Sequence, residues 1–119
     1  MLEIIPITAL KDNYIWVLKN KKNRHAVIVD PSEHEPVLKF IKTEGLIPIA
    51  ILITHHHWDH VGGIAGLISE YNLPVYAPKK EMVKGSTNLV AEGDIVNLPE
   101  LNLDISVLDV PGHTAGAIA

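Results

Sequence analysis

The stretch Ile47-Pro-Ile-Ala-Ile-Leu-Ile53-Thr54-His55-His56-His57-Trp58-Asp59-His60 decides how the chain is read. Its first seven residues are apolar and mostly β-branched, the composition of a strand buried on both faces. Pro48 is confined to the beginning of that strand, where a missing N–H does least harm. The apolar run then stops at a polar cluster that holds four of the chain's seven histidines. Gly62-Gly63 follows, and Ile64, Leu67 and Ile68 then recur at helical spacing as far as Tyr71. A buried strand that feeds a polar cluster and then a helix is the pattern of layered α/β folds. Their sites gather at the C-terminal ends of strands.

The flanking sequence agrees with that class. Residues 2–7 and 14–18 read as short strands, split by Lys11-Asp12-Asn13. Asn20-Lys21-Lys22-Asn23 predicts a hairpin turn, with Asn accepting φ > 0, and leads to an apolar strand over 26–29 that stops at Asp30-Pro31. Ser32 reads as a helix N-cap, with Glu33 and Glu35 in the first turn and Pro36 tolerable near that start. Val37, Phe40 and Ile41 form the apolar stripe of this helix, which ends at Gly45. Downstream, 73–77 is a further strand and 78–93 has no clear period. Residues 101–110 alternate and end in the turn Pro111-Gly112-His113-Thr114.

Composition bounds the function. With 119 residues, 47% apolar and 20% charged, the chain reads as one soluble globular domain. The longest apolar run, 46–53, is far short of the ~20 residues that span a bilayer. An acid at Glu3 and no basic segment before the first apolar run argue against a signal peptide. The absence of Cys excludes disulfides, thiolate metal sites and a Cys nucleophile, and fits a cytoplasmic location. A net charge of −4 argues against a nucleic-acid partner. The basic residues between Lys19 and Arg24, and the pair Lys79-Lys80, read as solvated turns, and His25 and His34 as surface residues. No G-x-S-x-G, phosphate-binding loop, G-x-G-x-x-G or H-E-x-x-H occurs.

Metal chemistry remains. In extended backbone, residues i and i+2 point to one side, so His55 and His57 can share an ion while His56 faces away as a structural residue. Asp59 and His60 offer one oxygen and one nitrogen to a second centre nearby. Imidazole with carboxylate suits Zn²⁺, Fe or Mn²⁺. A third ligand for the first ion should come from another strand end, and His113 lies on such a turn. Asp30, at the end of its strand, either orients a ligand from behind or caps an Asx-type turn.

Residues 54–60 resemble the T-H-x-H-x-D-H motif of the metallo-β-lactamase superfamily, and Asp30 and His113 match two further superfamily positions in the right order. Within it the chain is similar to the glyoxalase II (hydroxyacylglutathione hydrolase) family. Lys11-Asp-Asn-Tyr-Ile-Trp16, Ile28-Val29-Asp30-Pro31 and Pro111-Gly-His-Thr114 carry that likeness, which covers the whole chain. The resemblance implies an αββα sandwich, here roughly its N-terminal half, around a dinuclear zinc site, with iron or manganese as alternatives. It implies His55, His57 and His113 on one ion and Asp59 and His60 on the other, with Asp59 acting catalytically through a metal-bound hydroxide. The implied reaction is hydrolysis of S-D-lactoylglutathione to D-lactate and glutathione, a step of methylglyoxal detoxification in the cytoplasm.

Family members continue past the position of Ala119 with an Asp that bridges the metals, a further His, the second half of the sandwich and a helical substrate-binding domain. The expectation is therefore one tight ion, impaired thioesterase activity, and self-association through an uncovered sandwich face. Persulfide dioxygenase, lactonase or phosphodiesterase chemistry on the same scaffold, and a non-catalytic metal-binding fragment, are the competing readings.

Overall fold

The order of elements follows the alternation of apolar runs and turn residues. The structure, a computed structural model, describes residues 2–9, 13–54, 63–79, 83, 85–101 and 103–108. The first sheet holds β1 (Leu2–Ala9), β2 (Asn13–Asn20), β3 (His25–Val29), β4 (Ile47–Leu52), β5 (Val75–Pro78) and β6 (Asn88–Val90), side by side in that order. Helix α1 (Glu35–Glu44) connects β3 to β4, and α2 (Ile64–Glu70) precedes β5. β1, β2 and β3 pair antiparallel, while β3 to β6 run parallel. The second sheet is the antiparallel pair β7 (Ile95–Leu98) and β8 (Leu103–Ser106), joined through a 3-10 turn at Pro99–Leu101.

Period-two alternation sends the two faces of the first sheet to different partners. Ile15, Val17, Ile28, Ile51 and Val75 pack against Val37 and Ile41 of α1 and Ile64 and Leu67 of α2. On the other face Val27, Ala50 and Val90 meet Val96, Leu98 and Val107 around the second sheet. The layers are helix, sheet, sheet, in agreement with the sandwich expected from the sequence. β3 and β4 are covered on both sides, which is why they read as unbroken apolar runs.

Several local expectations are corrected. The cap of α1 is His34, not Ser32, and it makes no side-chain capping bond. With Ser32 as cap, Pro36 would have to supply the first intrahelical N–H, which it lacks. With His34 as cap, Leu38 N donates to His34 O at 2.9 Å and Pro36 sits harmlessly in the first turn. Gly45 does end the helix in the left-handed region, at φ 63°.

In the β2–β3 turn the positive φ falls on Arg24, at 62°. The asparagines are used otherwise: Asn20 and Asn23 accept from Lys22 N and His25 N, and their Nδ2 groups donate to Glu100 O. The basic turn is only partly free in solvent, since Lys19 pairs with Glu3 and Glu44 and Arg24 Nη1 donates to Glu44 O at 2.7 Å. β6 and β7 lie where the sequence showed no period or no strand, and among the described residues of 101–110 the alternation yields a strand at Leu103–Ser106.

Candidate metal centre

Two parallel strands deliver the candidate residues to one edge. β3 and β4 are hydrogen-bonded neighbours, so Asp30 and Thr54, just beyond their C-terminal ends, meet. Asp30 N donates to Leu52 O at 2.9 Å, which carries the pairing one residue past the strand. Asp30 then takes φ 51°, a left-handed conformation that Asp tolerates better than most residues. The turn aims its carboxylate back across β4. Thr54 N donates to Asp30 Oδ1 at 2.8 Å and Thr54 Oγ1 donates to Asp30 Oδ2 at 2.6 Å. Asp30 is only 7% exposed, so these charge-assisted bonds stand in a poorly hydrated setting.

The far side of the histidine segment is gripped by the same turn. Gly63 N donates to Pro31 O at 2.7 Å. A Cβ on Gly63 would stand 2.6 Å from the Glu33 carbonyl carbon and 2.8 Å from His34 N, so only glycine lets the backbones approach this closely. A Cβ on Gly66, one turn into α2, would overlap the His34 imidazole. His34 and His25 are thus half-buried packing residues and not surface ones. Residues 30–34 hold Thr54 on one side and Gly63 on the other, the two residues that bracket 55–62 in sequence.

His55, His56, His57, Asp59, His60 and His113 lie outside the described residues. Among the described residues no group of three His, Asp or Glu side chains could hold an ion. Asp30 is the one sequence-predicted site residue that is described. Its carboxylate fixes the residue that immediately precedes His55. Ser32 was missed as anything but a cap. It is 5% exposed, and its Oγ has no hydrogen-bond partner among the described residues.

A cavity of about 210 Å³ opens between the sheets beside Thr54, walled by Val29, Leu52, Tyr76, Val90 and Val107 among others. Its lining is apolar apart from Thr54 and Tyr76, and it offers no ligand set for a cation.

Comparison with known proteins bears on this edge. The family model described as Metallo-beta-lactamase superfamily matches residues 10–118. A hydroxyacylglutathione hydrolase of Nitrosomonas eutropha is 50% identical over 119 residues, which is all of this chain and 46% of that protein. The solved BLEG-1 B3 metallo-beta-lactamase superposes with a TM-score of 0.82 at 26% identity, covering 99% of this chain and 65% of that one. TTHA1623, solved in a di-iron-bound form, gives a TM-score of 0.72 at 27% identity, with 96% and 64% covered. The chain spans about half the length of the curated relatives it matches.

Proposed function

The chain belongs to the metallo-β-lactamase superfamily, and we propose that it serves metal-dependent hydrolysis of a glutathione thioester, S-D-lactoylglutathione, to D-lactate and glutathione. The observation that carries this reading is the pair of contacts made by the turn after β3 with Thr54 and Gly63, the residues that flank 55–62 in sequence. Asp30 grips Thr54 on one side, Pro31 grips Gly63 on the other, and the segment between them carries the histidine motif. Identity of about half over the whole chain to proteins named hydroxyacylglutathione hydrolase supports the substrate class.

The donor chemistry fits a borderline divalent ion. Neutral imidazoles and one carboxylate, with no thiolate in the chain, suit zinc, iron or manganese. In this proposal His55, His57 and His113 hold one ion, and Asp59 and His60 contribute to a second. When bound, such an ion supplies Lewis acidity toward a carbonyl oxygen and activates water for attack. The protein's part is to hold the ligands at fixed spacing. The Asp30 carboxylate holds Thr54, the residue before the motif, through two bonds. Gly63, after the motif, packs closely on the Glu33 backbone. In the reaction, water adds to the thioester carbonyl, the C–S bond breaks, and the products are a carboxylic acid and a thiol. A thiolate leaving group with a pKa near ~8.5 leaves with little protonic help, so no further general acid is demanded of the chain.

In this proposal the 119 residues form the N-terminal part of a metallo-β-lactamase-fold domain, a reading supported by the relatives' greater length. On this reading the chain by itself holds one ion tightly and turns over poorly. A cytoplasmic setting and a role in methylglyoxal detoxification belong to the same proposal. No helix among the described residues is long and apolar enough to cross a membrane.

The apolar face of β1 and β2, where Ile4 is 59% and Trp16 42% exposed, supports self-association with a second copy, because β7 and β8 do not bury these residues. Iron in place of zinc is a second reading, favoured by the di-iron form of TTHA1623. Release of thiol from S-D-lactoylglutathione tests the reaction, with this chain assayed beside a form extended to the relatives' length. Hydrolysis by the extended form supports the proposal, and no hydrolysis by a metal-replete extended form overturns it.

A further inference from the structure

Four of the chain's ten Lys and Arg residues lie between Lys19 and Arg24, and the proposed reaction uses none of them. At the start of β3, the opposite end of that strand from Asp30, they border a cavity of about 290 Å³ lined by Glu3, Lys19, Lys21, Arg24 and Glu44. Every lining side chain is ionisable, and they come from β1, from β2 and the turn after it, and from the end of α1. Their internal pairing is incomplete. Lys19 spans the two carboxylates, with Nζ 3.4 Å from Glu3 Oε1 and 3.8 Å from Glu44 Oε1. Arg24 donates through Nη1 to Glu44 O at 2.7 Å. Among the described residues Lys21 then has no ion pair or side-chain hydrogen bond, and most N–H groups of the Arg24 guanidinium are uncommitted.

Arg24 is held at this cavity against its own backbone preference. Its φ of 62° is a region that Gly or Asn occupies more readily than Arg. The turn fixes it there, since Arg24 N donates to Asn20 O at 3.0 Å and Ile47 N donates to Arg24 O at 2.8 Å. Gly45 makes room for the guanidinium, because a Cβ there would stand 3.2 Å from Nη1. The guanidinium is thus positioned before any ligand arrives, which lowers the cost of binding one.

We propose that this cavity is a binding site for a small oxyanion, a carboxylate or phosphate group held between the Lys21 ammonium and the Arg24 guanidinium. A planar guanidinium with an ammonium beside it is the donor set that such groups take. Glu3 and Glu44 limit what enters. Three cations against two carboxylates leave one positive charge in excess, which balances a single anionic group, while the carboxylates repel an extended polyanion such as nucleic acid. The site requires no metal, so it stands apart from the thioesterase reading.

The test titrates the metal-free 119-residue chain with inorganic phosphate and, separately, with acetate, against sodium chloride at matched ionic strength, and follows the backbone amide resonances. The expected result is saturable shifts at residues 19–24 and 44–45 with at least one oxyanion and none with chloride. Tighter binding of phosphate assigns the site to phosphate esters and tighter binding of acetate to carboxylates, and either supports it. Lys21→Gln removes an exposed cation without a partner among the described residues, so the fold is kept, and it should raise the dissociation constant about three- to fivefold. Glu3→Gln removes a repelling charge and releases Lys19 from one of its two partners, and it should lower the constant about twofold.

Shifts that do not saturate, or that chloride reproduces, overturn the proposal. Wild-type affinity in Lys21→Gln overturns it as well. So does binding by Glu3→Gln that is no tighter than wild type, because a carboxylate at the rim of an anion site must oppose the ligand.

Discussion

Replacing Thr54 by Val isolates the bond that ties the histidine segment to the sheet. Valine keeps the β-branched shape and the backbone N–H that donates to Asp30 Oδ1, and removes the 2.6 Å bond from Thr54 Oγ1 to Asp30 Oδ2. A hydrogen bond to a charged group contributes about 1.5–3 kcal/mol, and the burial of Asp30 places this one at neither extreme. An expected loss of about 2 kcal/mol corresponds, for a chain of this size, to a melting midpoint lower by roughly 8 °C. The cause is separable by a double-mutant cycle with Asp30→Asn, which retains a side chain that tolerates φ 51°. With a neutral partner the same Thr54→Val change should cost only about 1 kcal/mol, leaving a coupling near 1 kcal/mol. Chemical denaturation followed by circular dichroism measures all four corners. A cost under about 0.5 kcal/mol in the wild-type background, or equal costs in both backgrounds, refutes the assignment of the Asp30–Thr54 bond as the anchor.

Two further outcomes follow from packing. Gly63→Ala and Gly66→Ala should each destabilise the chain by about 3 kcal/mol or more, because their Cβ atoms meet the Glu33 backbone and the root of the His34 side chain. Denaturant midpoints unchanged in either variant would contradict the close approach of the 30–34 turn to α2. Ile4→Lys on the exposed face of β1 should shift the chain toward monomer in light scattering at high concentration. A wild-type chain already monomeric under those conditions would remove that face as a contact between copies.

How much was legible depended on whether the signal was local. The β3–β4 pair and the α1 stripe were readable because burial on both faces, or on one helical face, writes a period into consecutive residues. The turn residues were harder. Ser32 looked like a cap by residue type, and only the need of Pro36 for a place in the first turn moves the cap to His34. β6 has three residues, and its parallel pairing with β5 depends on distant neighbours and not on its own pattern.

At the site, the motif over 54–60 was plain, and Asp30 was singled out with two roles left open. The structure shows its carboxylate accepting from Thr54 N and Oγ1, the residue just before His55. What no sequence pattern carried was the second grip, through the Pro31 carbonyl and the absence of a Cβ at Gly63, because backbone contacts between segments some thirty residues apart leave no mark beyond a glycine.

The central claim is the proposal that residues 55–60, which follow Thr54 in sequence, bind a catalytic metal. Metal content after exhaustive dialysis, measured on the wild-type chain and on His55→Ala and His57→Ala, tests it most directly. The expected result is about one zinc or iron retained per wild-type chain and almost none in either variant, since under the proposal each removes one of three imidazoles from the same ion. Metal retained equally by all three proteins, or by none of them, would contradict it.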